Sequence, residues 1–376
     1  MRLHGCYDGT LYGTRYRTVF RESSTESGSF SAVGRLPVPD SATGATGLSY
    51  RLKTTKGWKS AVTRVVGRFP SANLWPITDT DLLATADNYV FVSRDGGETW
   101  TVSLTLPESS SPMGVLPTGV CIHDDTIYLG EYPLASSTTP RVLRSTDRGA
   151  TWDPIAELDG VRHVHSIQVD PYTGDLWMTT GDADSECRIG RLSDGDFKTV
   201  GSGGQTWRAV ELAFTPDAII WGVDSIYLET NPILRLDRSN LDGGRSPDIL
   251  YEASNSIYYA TSVSIDSVQW VVVSTAMEAG TDSTGPADQA VHSDRAKVLA
   301  SSAATGFTTW HELATYEKRS MLVDYWNPRN LAPTANAYVF LAADPDRGIV
   351  TNPYNTSRND GELVSYPPEY VADLES

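Results

Sequence analysis

Two histidines separated by one residue, His163 and His165, stand in the segment VRHVHS. Side chains two residues apart in a β-strand point to the same face, so both imidazoles are expected on one side of a strand. Neighbouring imidazoles can bind a metal ion or serve as base and acid, and Asp182 is the candidate third metal ligand. Structural hydrogen bonding and ligand contact explain the pair as well as a metal does, so the sequence predicts no metal and no cofactor.

Other side chains able to bind or cleave a ligand occur at matching places along the chain, at the starts and ends of predicted strands. Residues placed in this way in successive repeats are expected to face one opening, where they can act together. We predict catalytic roles for His163, His165, Arg208, Tyr259 and Glu278. We predict ligand binding by Glu131, Arg162, Asp182, Asp184, Gln205, Asp224, Asn231 and Tyr258.

These residue types fit more than one chemistry. Two carboxylates such as Asp182 and Glu278 suit hydrolysis of a glycosidic bond. A histidine or tyrosine base with Arg208 suits β-elimination on a uronic acid, because the arginine stabilises the developing charge. Aromatic side chains, including Trp207 and Tyr227, suit stacking on sugar rings without turnover. The choice between enzyme and binding protein therefore stays open at this point.

Short β-strands are the elements that would position these residues. Four segments alternate apolar and polar residues on both sides of a tight turn, namely 120–132, 165–182, 210–224 and 261–275. A third strand and a polar turn follow each pair, and the plan recurs roughly every 40 to 55 residues, a period typical of β-propellers with four strands per blade. We predict an all-β propeller with seven blades, or alternatively six, each of four antiparallel strands.

We expect residues 1–376 to form a single domain, with the ring closed by pairing of the N- and C-terminal strands. Residues 38–75 and those after 320 show no pattern that places strands.

Two octets mark the repeat, SRDGGETW at 93–100 and STDRGATW at 145–152, and both fit Ser-x-Asp-x-Gly-x-Thr-Trp. An Asp or Ser side chain can accept hydrogen bonds from backbone N–H groups just ahead of it, and Gly tolerates unusual backbone angles. We therefore predict turns between third and fourth strands, with a structural and not a catalytic role. The residues concerned are Ser93, Asp95, Gly97, Thr99, Trp100, Ser145, Asp147, Gly149, Thr151 and Trp152.

The octets resemble the Asp-box, or BNR repeat, of sialidase-like β-propellers. The string GEY…RHVHSIQVDPYTGDLWMTTGDADSE…GSGGQTWRAV…WGVDS…NPILRLDR resembles Asp-box propeller proteins encoded beside prokaryotic surface-polysaccharide and glycosylation genes, over roughly residues 90 to 315. This resemblance implies a glycan context. The expected function is binding of complex acidic surface glycans at the central rim, in cell-surface or virus–host recognition. The alternatives are a glycan-cleaving hydrolase or lyase that uses the same residues, and a scaffold for protein–protein interaction.

The sialidase resemblance also implies a specific arrangement. Sialidases bind the substrate carboxylate with three arginines and use a tyrosine nucleophile paired with a glutamate. Arg162, Arg208 and Arg319 would form that arginine group. Tyr259 would be the nucleophile and Glu278 its partner, although the N-terminal arginine signature of sialidases is absent.

The charge balance limits the partners. Asp and Glu number 47 against 30 Lys and Arg, for a net charge of −17, and only six of the cations are lysines. This argues against binding to nucleic-acid phosphates and suits high ionic strength, which predicts a halophilic source. Three cysteines make no disulfide framework, and neither a signal peptide nor a membrane span is visible. We expect a cytoplasmic or virion-associated protein without membrane insertion, whose partner is a polysaccharide or glycoprotein glycan, with homo-oligomer or particle assembly as a further expectation.

Overall fold

The computed structural model describes residues 1–23, 28–55, 63, 65, 67–68, 72–242, 244, 246–278, 293–326 and 335–375. Their regular structure is almost entirely antiparallel β-sheet, and the fold is a seven-bladed β-propeller, as predicted. Six of the described sheets have four strands and the seventh has three. No helix among the described residues is long and apolar enough to cross a membrane.

The chain divides into two compact units. Unit 1 comprises Met1–Ala61 and Pro70–Gly204, and unit 2 comprises Val62–Phe69 and Gln205–Ser376. The prediction of a single domain stays a prediction.

Unit 1 contains four sheets, each a meander of consecutive strands. The first has β1 (Arg2–Tyr7), β2 (Thr10–Arg15), β3 (Thr18–Glu22) and β4 (Phe30–Arg35). The second has β5 (Asn73–Pro76), β6 (Leu82–Ala86), β7 (Tyr89–Ser93) and β8 (Thr101–Thr105). The third has β9 (Val120–His123), β10 (Thr126–Gly130), β11 (Arg141–Ser145) and β12 (Asp153–Glu157). The fourth has β13 (His163–Val169), β14 (Leu176–Gly181), β15 (Arg188–Ser193) and β16 (Asp196–Ser202).

Unit 2 contains the other three sheets. The fifth has β17 (Leu212–Phe214), β18 (Ala218–Gly222), β19 (Asn231–Asp237) and β20 (Asp248–Ala253). The sixth has β21 (Ile257–Ile265), β22 (Val268–Thr275), β23 (Arg295–Ser302) and β24 (His311–Glu317). The seventh has β25 (Tyr338–Asp344), β26 (Gly348–Tyr354) and β27 (Val364–Tyr366). All four predicted strand pairs are confirmed at β9–β10, β13–β14, β17–β18 and β21–β22.

The expected sheet shared by the two chain ends is not among the described sheets. Strand β1 pairs with β2 inside the first meander, and the seventh sheet consists of β25, β26 and β27 alone. The short turn at Asp8 and Gly9 joins β1 to its partner β2, and pairing of the chain ends stays a prediction.

Short helices lie in the regions for which the sequence predicted no strands, and those regions also contain the start of β5 and all of β25, β26 and β27. Helix α1 (Gly44–Thr54) lies in unit 1, and α2 (Leu322–Tyr325) and α3 (Pro368–Ala372) lie in unit 2. Tyr50 attaches α1 to the second sheet, because its ring packs edge-on against Tyr89 with centroids 5.7 Å apart.

Both octets form turns between a third and a fourth strand, as predicted. In the first, Asp95 accepts hydrogen bonds from the Thr99 amide at 2.9 Å and the Thr99 hydroxyl at 2.5 Å. These bonds from Thr99 hold the pKa of Asp95 down at about 2. The indole of Trp100 closes the turn by donating to the Gly97 carbonyl at 2.8 Å. Asp147 and Thr151 repeat the pattern in the second octet, so these aspartates stabilise turns.

Two glycines at equivalent places allow neighbouring sheets to pack closely. Gly130 ends β10 in unit 1, and a Cβ atom there would overlap the side chain of Val164 on β13. Gly222 ends β18 in unit 2, and a Cβ atom there would overlap Ile257 on β21. Both contacted residues are completely or almost completely buried and begin the strands that carry the candidate site residues. The glycines therefore help to position the site in each unit.

Candidate functional site

A β-bulge interrupts the first strand of two sheets that carry predicted site residues. In β13 the register shifts between Val164 and Ser166, so His165 is the extra residue. In β21 it shifts between Ile257 and Tyr259, so Tyr258 is the extra residue. A bulge re-aims side chains and ends strict alternation, which is why sequence periodicity alone does not place these two residues.

Unit 1 holds what we call the histidine cluster: Tyr132, Arg162, His163, His165 and Asp182. The imidazoles of His163 and His165 have centroids 5.2 Å apart, which agrees with the expectation that they share one side. The Nε2 atoms of His163 and His165 lie 3.1 Å and 3.6 Å from the two carboxylate oxygens of Asp182. Arg162 lies beside the same carboxylate, with Nη1 3.1 Å from Oδ2. The predicted contact between the histidines and Asp182 is therefore present.

Neighbouring groups hold this cluster in place. Tyr132 stacks on His163 with centroids 3.8 Å apart, and the hydroxyl of Thr118 donates to the His165 carbonyl at 2.6 Å. Both histidines are 2% exposed. Burial lowers the pKa of His163, although the Asp182 carboxylate opposes that change. Near neutral pH His163 is consequently an uncharged imidazole.

Two other predicted residues of unit 1 have different surroundings. Glu131 is fully buried, and the Arg141 side chain contacts both of its oxygens, at 2.5 Å and 3.0 Å. This bidentate ion pair gives Glu131 a structural role within its sheet. Asp184 is exposed in the loop after β14.

Unit 2 holds what we call the carboxylate cluster: Arg208, Asp224, Tyr258, Glu278 and Asn336. The Tyr258 hydroxyl donates to Glu278 Oε1 at 3.0 Å and accepts from the Asn336 amide at 2.9 Å. Arg208 Nη2 lies 3.5 Å from Asp224 Oδ2, which matches one of its expected ion pairs. The loops carrying these two residues are also joined by a bond from the Asp224 amide to the Arg208 carbonyl at 3.0 Å.

Burial and charge shape the acid–base properties of this cluster. The pKa of Glu278 is raised to about 7, first by burial and then by the negative charge of Asp224. The hydrogen bond from Tyr258 and the charge of Arg208 act in the opposite direction. Burial and the nearby Glu278 also raise the pKa of Tyr258 well above its usual value. Glu278 can thus act as a proton donor near neutral pH, whereas Tyr258 stays a neutral phenol.

The tyrosine that contacts Glu278 is the neighbour of the one that the sialidase resemblance implied. That resemblance implied Tyr259, and the hydrogen bond in the structure comes from Tyr258, the extra residue of the bulge. The ring of Tyr259 packs against Phe340 and Tyr338, with centroids 5.2 Å and 6.2 Å away. Tyr259 therefore belongs to an aromatic group next to the cluster.

The remaining predicted residues of unit 2 support loops. The Gln205 carbonyl accepts from the Arg208 amide at 2.9 Å, and the buried Asn231 side chain accepts from the Ser225 amide at 2.9 Å. Arg319, which the sialidase comparison suggested as a carboxylate ligand, instead lies 3.1 Å from Asp360.

Sequence reasoning missed two residues of unit 2. Asn336 is one, and no strand could be placed around it from the sequence. Glu211 is the other: its carboxylate accepts from the Ala260 amide at 2.9 Å, and burial raises its pKa to about 8. The sequence did contain a signal for Glu211, because it is the single carboxylate in the otherwise apolar run AVELAF.

No family model matches this chain, and no curated protein sequence matches it. Among solved structures, a chain of the mitotic checkpoint complex is similar, with a TM-score of 0.53 and 9% identity over 97% of this chain and 88% of that one. An ancestral GH74 enzyme has a TM-score of 0.49 and 10% identity, over 97% of this chain and 48% of that one. Hydrazine synthase of Kuenenia stuttgartiensis has a TM-score of 0.46 and 13% identity, over 78% and 75%. At such identities the likeness concerns the fold alone.

Proposed function

We propose that the protein binds a complex acidic glycan and that the carboxylate cluster of unit 2 is the contact site. The observation that carries the proposal is the combination of Arg208, two carboxylates and the Tyr258 hydroxyl beside the rings of Tyr259 and Tyr338. Carbohydrate sites combine a few oriented polar groups with aromatic surface, and an arginine can take up a carboxylate of the ligand.

The state of Arg208 fits this role. Its side chain is mostly buried, and its guanidinium is 3.5 Å from Asp224, a longer contact than a close ion pair. A uronate carboxylate that contacts the guanidinium would gain a charge-assisted hydrogen bond, and the 3.5 Å contact with Asp224 is not a short bond that must first be broken. The resemblance of roughly residues 90 to 315 to propellers of glycosylation clusters favours the same ligand class.

Calorimetric titration with uronic-acid-containing oligosaccharides tests this proposal. Arg208→Gln should weaken binding by roughly tenfold or more, because it removes the cation while retaining much of the side-chain volume. Arg235→Gln is the matched control, since Arg235 pairs with Asp237 on β19, outside the cluster. Equal affinity of both variants, or no saturable binding by the wild type, would refute the proposal.

A second candidate function, hydrolysis of the bound glycan, is favoured by the proximity of Glu278 and Asp224. A carboxylic acid that keeps its proton near neutral pH beside a second carboxylate is the pairing used by glycosidases. Glu278 would protonate the glycosidic oxygen and Asp224 would assist the attacking water. Tyr258 is not the nucleophile in this scheme, because its raised pKa disfavours the phenolate.

An assay for new reducing ends separates the two functions. If hydrolysis occurs, Glu278→Gln should abolish product while leaving binding within a few-fold of the wild type. A wild-type protein that binds the oligosaccharide and releases no product would leave binding as the function.

A further inference from the structure

The histidine cluster of unit 1 brings three potential metal ligands together. One nitrogen from His163, one nitrogen from His165 and one oxygen from Asp182 all lie within 4.8 Å of one another. Imidazole and carboxylate donors in this number suit Zn²⁺ and related divalent transition metals. Three protein ligands also leave a coordination position for water.

The orientation of His163 provides a second, independent observation. Its Nε2 atom is buried and has no hydrogen-bond partner of acceptable geometry among the described residues, although Asp182 Oδ2 is 3.1 Å away. Its Nδ1 atom lies 3.5 Å from the Pro133 carbonyl, a contact that a proton on Nδ1 would make as a hydrogen bond. In that tautomer the Nε2 lone pair faces a carboxylate oxygen, and a metal cation bound to both atoms would stabilise this arrangement.

The positions of both rings are fixed before any ion arrives. Tyr132 stacks on His163, and the bond from Thr118 to the His165 carbonyl fixes the backbone at the bulge. With both histidines 2% exposed, little side-chain entropy remains to be lost on binding.

Arg162 is the competing cation. Its guanidinium contacts Asp182 Oδ2 at 3.1 Å and the Leu134 carbonyl at 3.3 Å, and its side chain is 41% exposed. It can therefore move into solvent when another positive charge neutralises Asp182.

We propose that His163, His165 and Asp182 form a binding site for a divalent transition metal of the Zn²⁺ class, and that Arg162 competes with the ion for Asp182. The site lies in unit 1 and does not depend on the glycan proposal for unit 2.

The test is calorimetric titration of the full chain, without any affinity tag, with Zn²⁺, and the visible d–d absorption of Co²⁺ as a second measurement. The wild type should bind one Zn²⁺ and give a Co²⁺ spectrum typical of few nitrogen and oxygen ligands. Asp182→Asn and His163→Gln should each weaken binding by roughly a hundredfold or more and remove the Co²⁺ bands. Asp196→Asn, at an exposed position on β16 of the same sheet, is the matched control and should leave both unchanged.

Arg162→Gln should change the Zn²⁺ affinity in the opposite direction. It should tighten Zn²⁺ binding by roughly two- to fivefold, which corresponds to the loss of one partly exposed ion pair. Circular dichroism and thermal melting show whether each variant is folded, and the wild-type Co²⁺ spectrum decides the question if a ligand variant is not. Absence of saturable binding by the wild type, or equal binding by Asp182→Asn and Asp196→Asn, would overturn the proposal.

Discussion

The histidine cluster of unit 1 and the carboxylate cluster of unit 2 use the same structural device for different chemistry. Each contains the extra residue of a first-strand bulge, His165 or Tyr258, and an acidic side chain from the loop after a second strand. In each unit, a glycine on the preceding sheet packs against the bulged strand. The scaffold therefore supplies equivalent positions, and the residue types at those positions determine what can bind.

The charges of the two clusters differ most. In the histidine cluster a single carboxylate faces two imidazoles and a half-exposed guanidinium, so there are more cationic or neutral donors than anions. In the carboxylate cluster two carboxylates share one mostly buried guanidinium, and one of them has a pKa raised to about 7. The first arrangement suits a metal cation that displaces Arg162, and the second suits a protonated acid beside a sugar.

The largest expected effect is a loss of stability that leaves both binding sites intact. Trp100→Ala should destabilise the protein by ~3–5 kcal/mol, because it removes a buried indole and its hydrogen bond to Gly97. Below the melting temperature, Zn²⁺ and glycan affinities should both stay within a few-fold of the wild type. Chemical denaturation with the two titrations measures this. Loss of either affinity in the folded variant would show that the octet belongs to a site.

The next prediction tests whether the two clusters bind their ligands independently. Gly130→Ala and Gly222→Ala should each cost ~1–3 kcal/mol, because the new methyl group overlaps Val164 or Ile257. Gly130→Ala should weaken Zn²⁺ binding and leave glycan binding nearly unchanged, and Gly222→Ala should do the reverse. Denaturation midpoints and both titrations on both variants provide the check. If each glycine affected both affinities equally, the two clusters would not be independent.

The third prediction concerns pH and applies to the carboxylate cluster. Glu278 has a pKa near 7 in the folded chain, whereas an unfolded glutamate ionises near 4.3. Between these values the folded chain binds more protons, so the contribution of Glu278 to stability is lost as pH rises from about 4.5 to about 7, by roughly 3–4 kcal/mol. Glu278→Gln should flatten that part of the stability curve, measured by denaturation at about pH 5 and about pH 8. The exposed Glu252→Gln should follow the wild type.

Much of the fold was predictable from the sequence, because the signals that define it act between residues close together in the chain. Turn residues such as Asp95 and Gly97 have side chains and backbone angles that act within a few residues, so the octets located turns between strands and established the period. Alternating apolar residues then identified the strand pairs, and the seven blades followed. Pairing of the chain ends is not among the described sheets and stays a prediction, because strand edges leave no local pattern.

The candidate site was only partly predictable, because bulges depend on tertiary packing. His163 and Asp182 were predicted as neighbours from strand position, and the structure places them 3.1 Å apart. The sialidase resemblance implied Tyr259 as the partner of Glu278, whereas the structure shows a hydrogen bond from Tyr258, the extra residue of a bulge that period-2 alternation does not reveal. Asn336 comes from a part of the chain that no repeat pattern covers.

The smallest expected effect concerns salt, which should strengthen the binding of an acidic glycan. The chain carries a net charge of −17, so an acidic oligosaccharide is repelled at long range even though Arg208 attracts its carboxylate locally. Raising salt from about 0.1 M to about 1 M shortens the screening length from roughly 10 Å to roughly 3 Å, which removes the distant repulsion. Arg208 is 12% exposed, so its contact with the ligand is screened less than the surface charges are.

Affinity for an acidic oligosaccharide should therefore rise by a few-fold with salt, whereas simple ion pairing predicts a fall. A neutral oligosaccharide of the same length is the control and should show no trend. Zn²⁺ binding should show the opposite trend. The net negative charge attracts a cation, so salt should weaken its binding. A fall of acidic-glycan affinity with salt would mean that exposed cations, and not the mostly buried Arg208, make the contact.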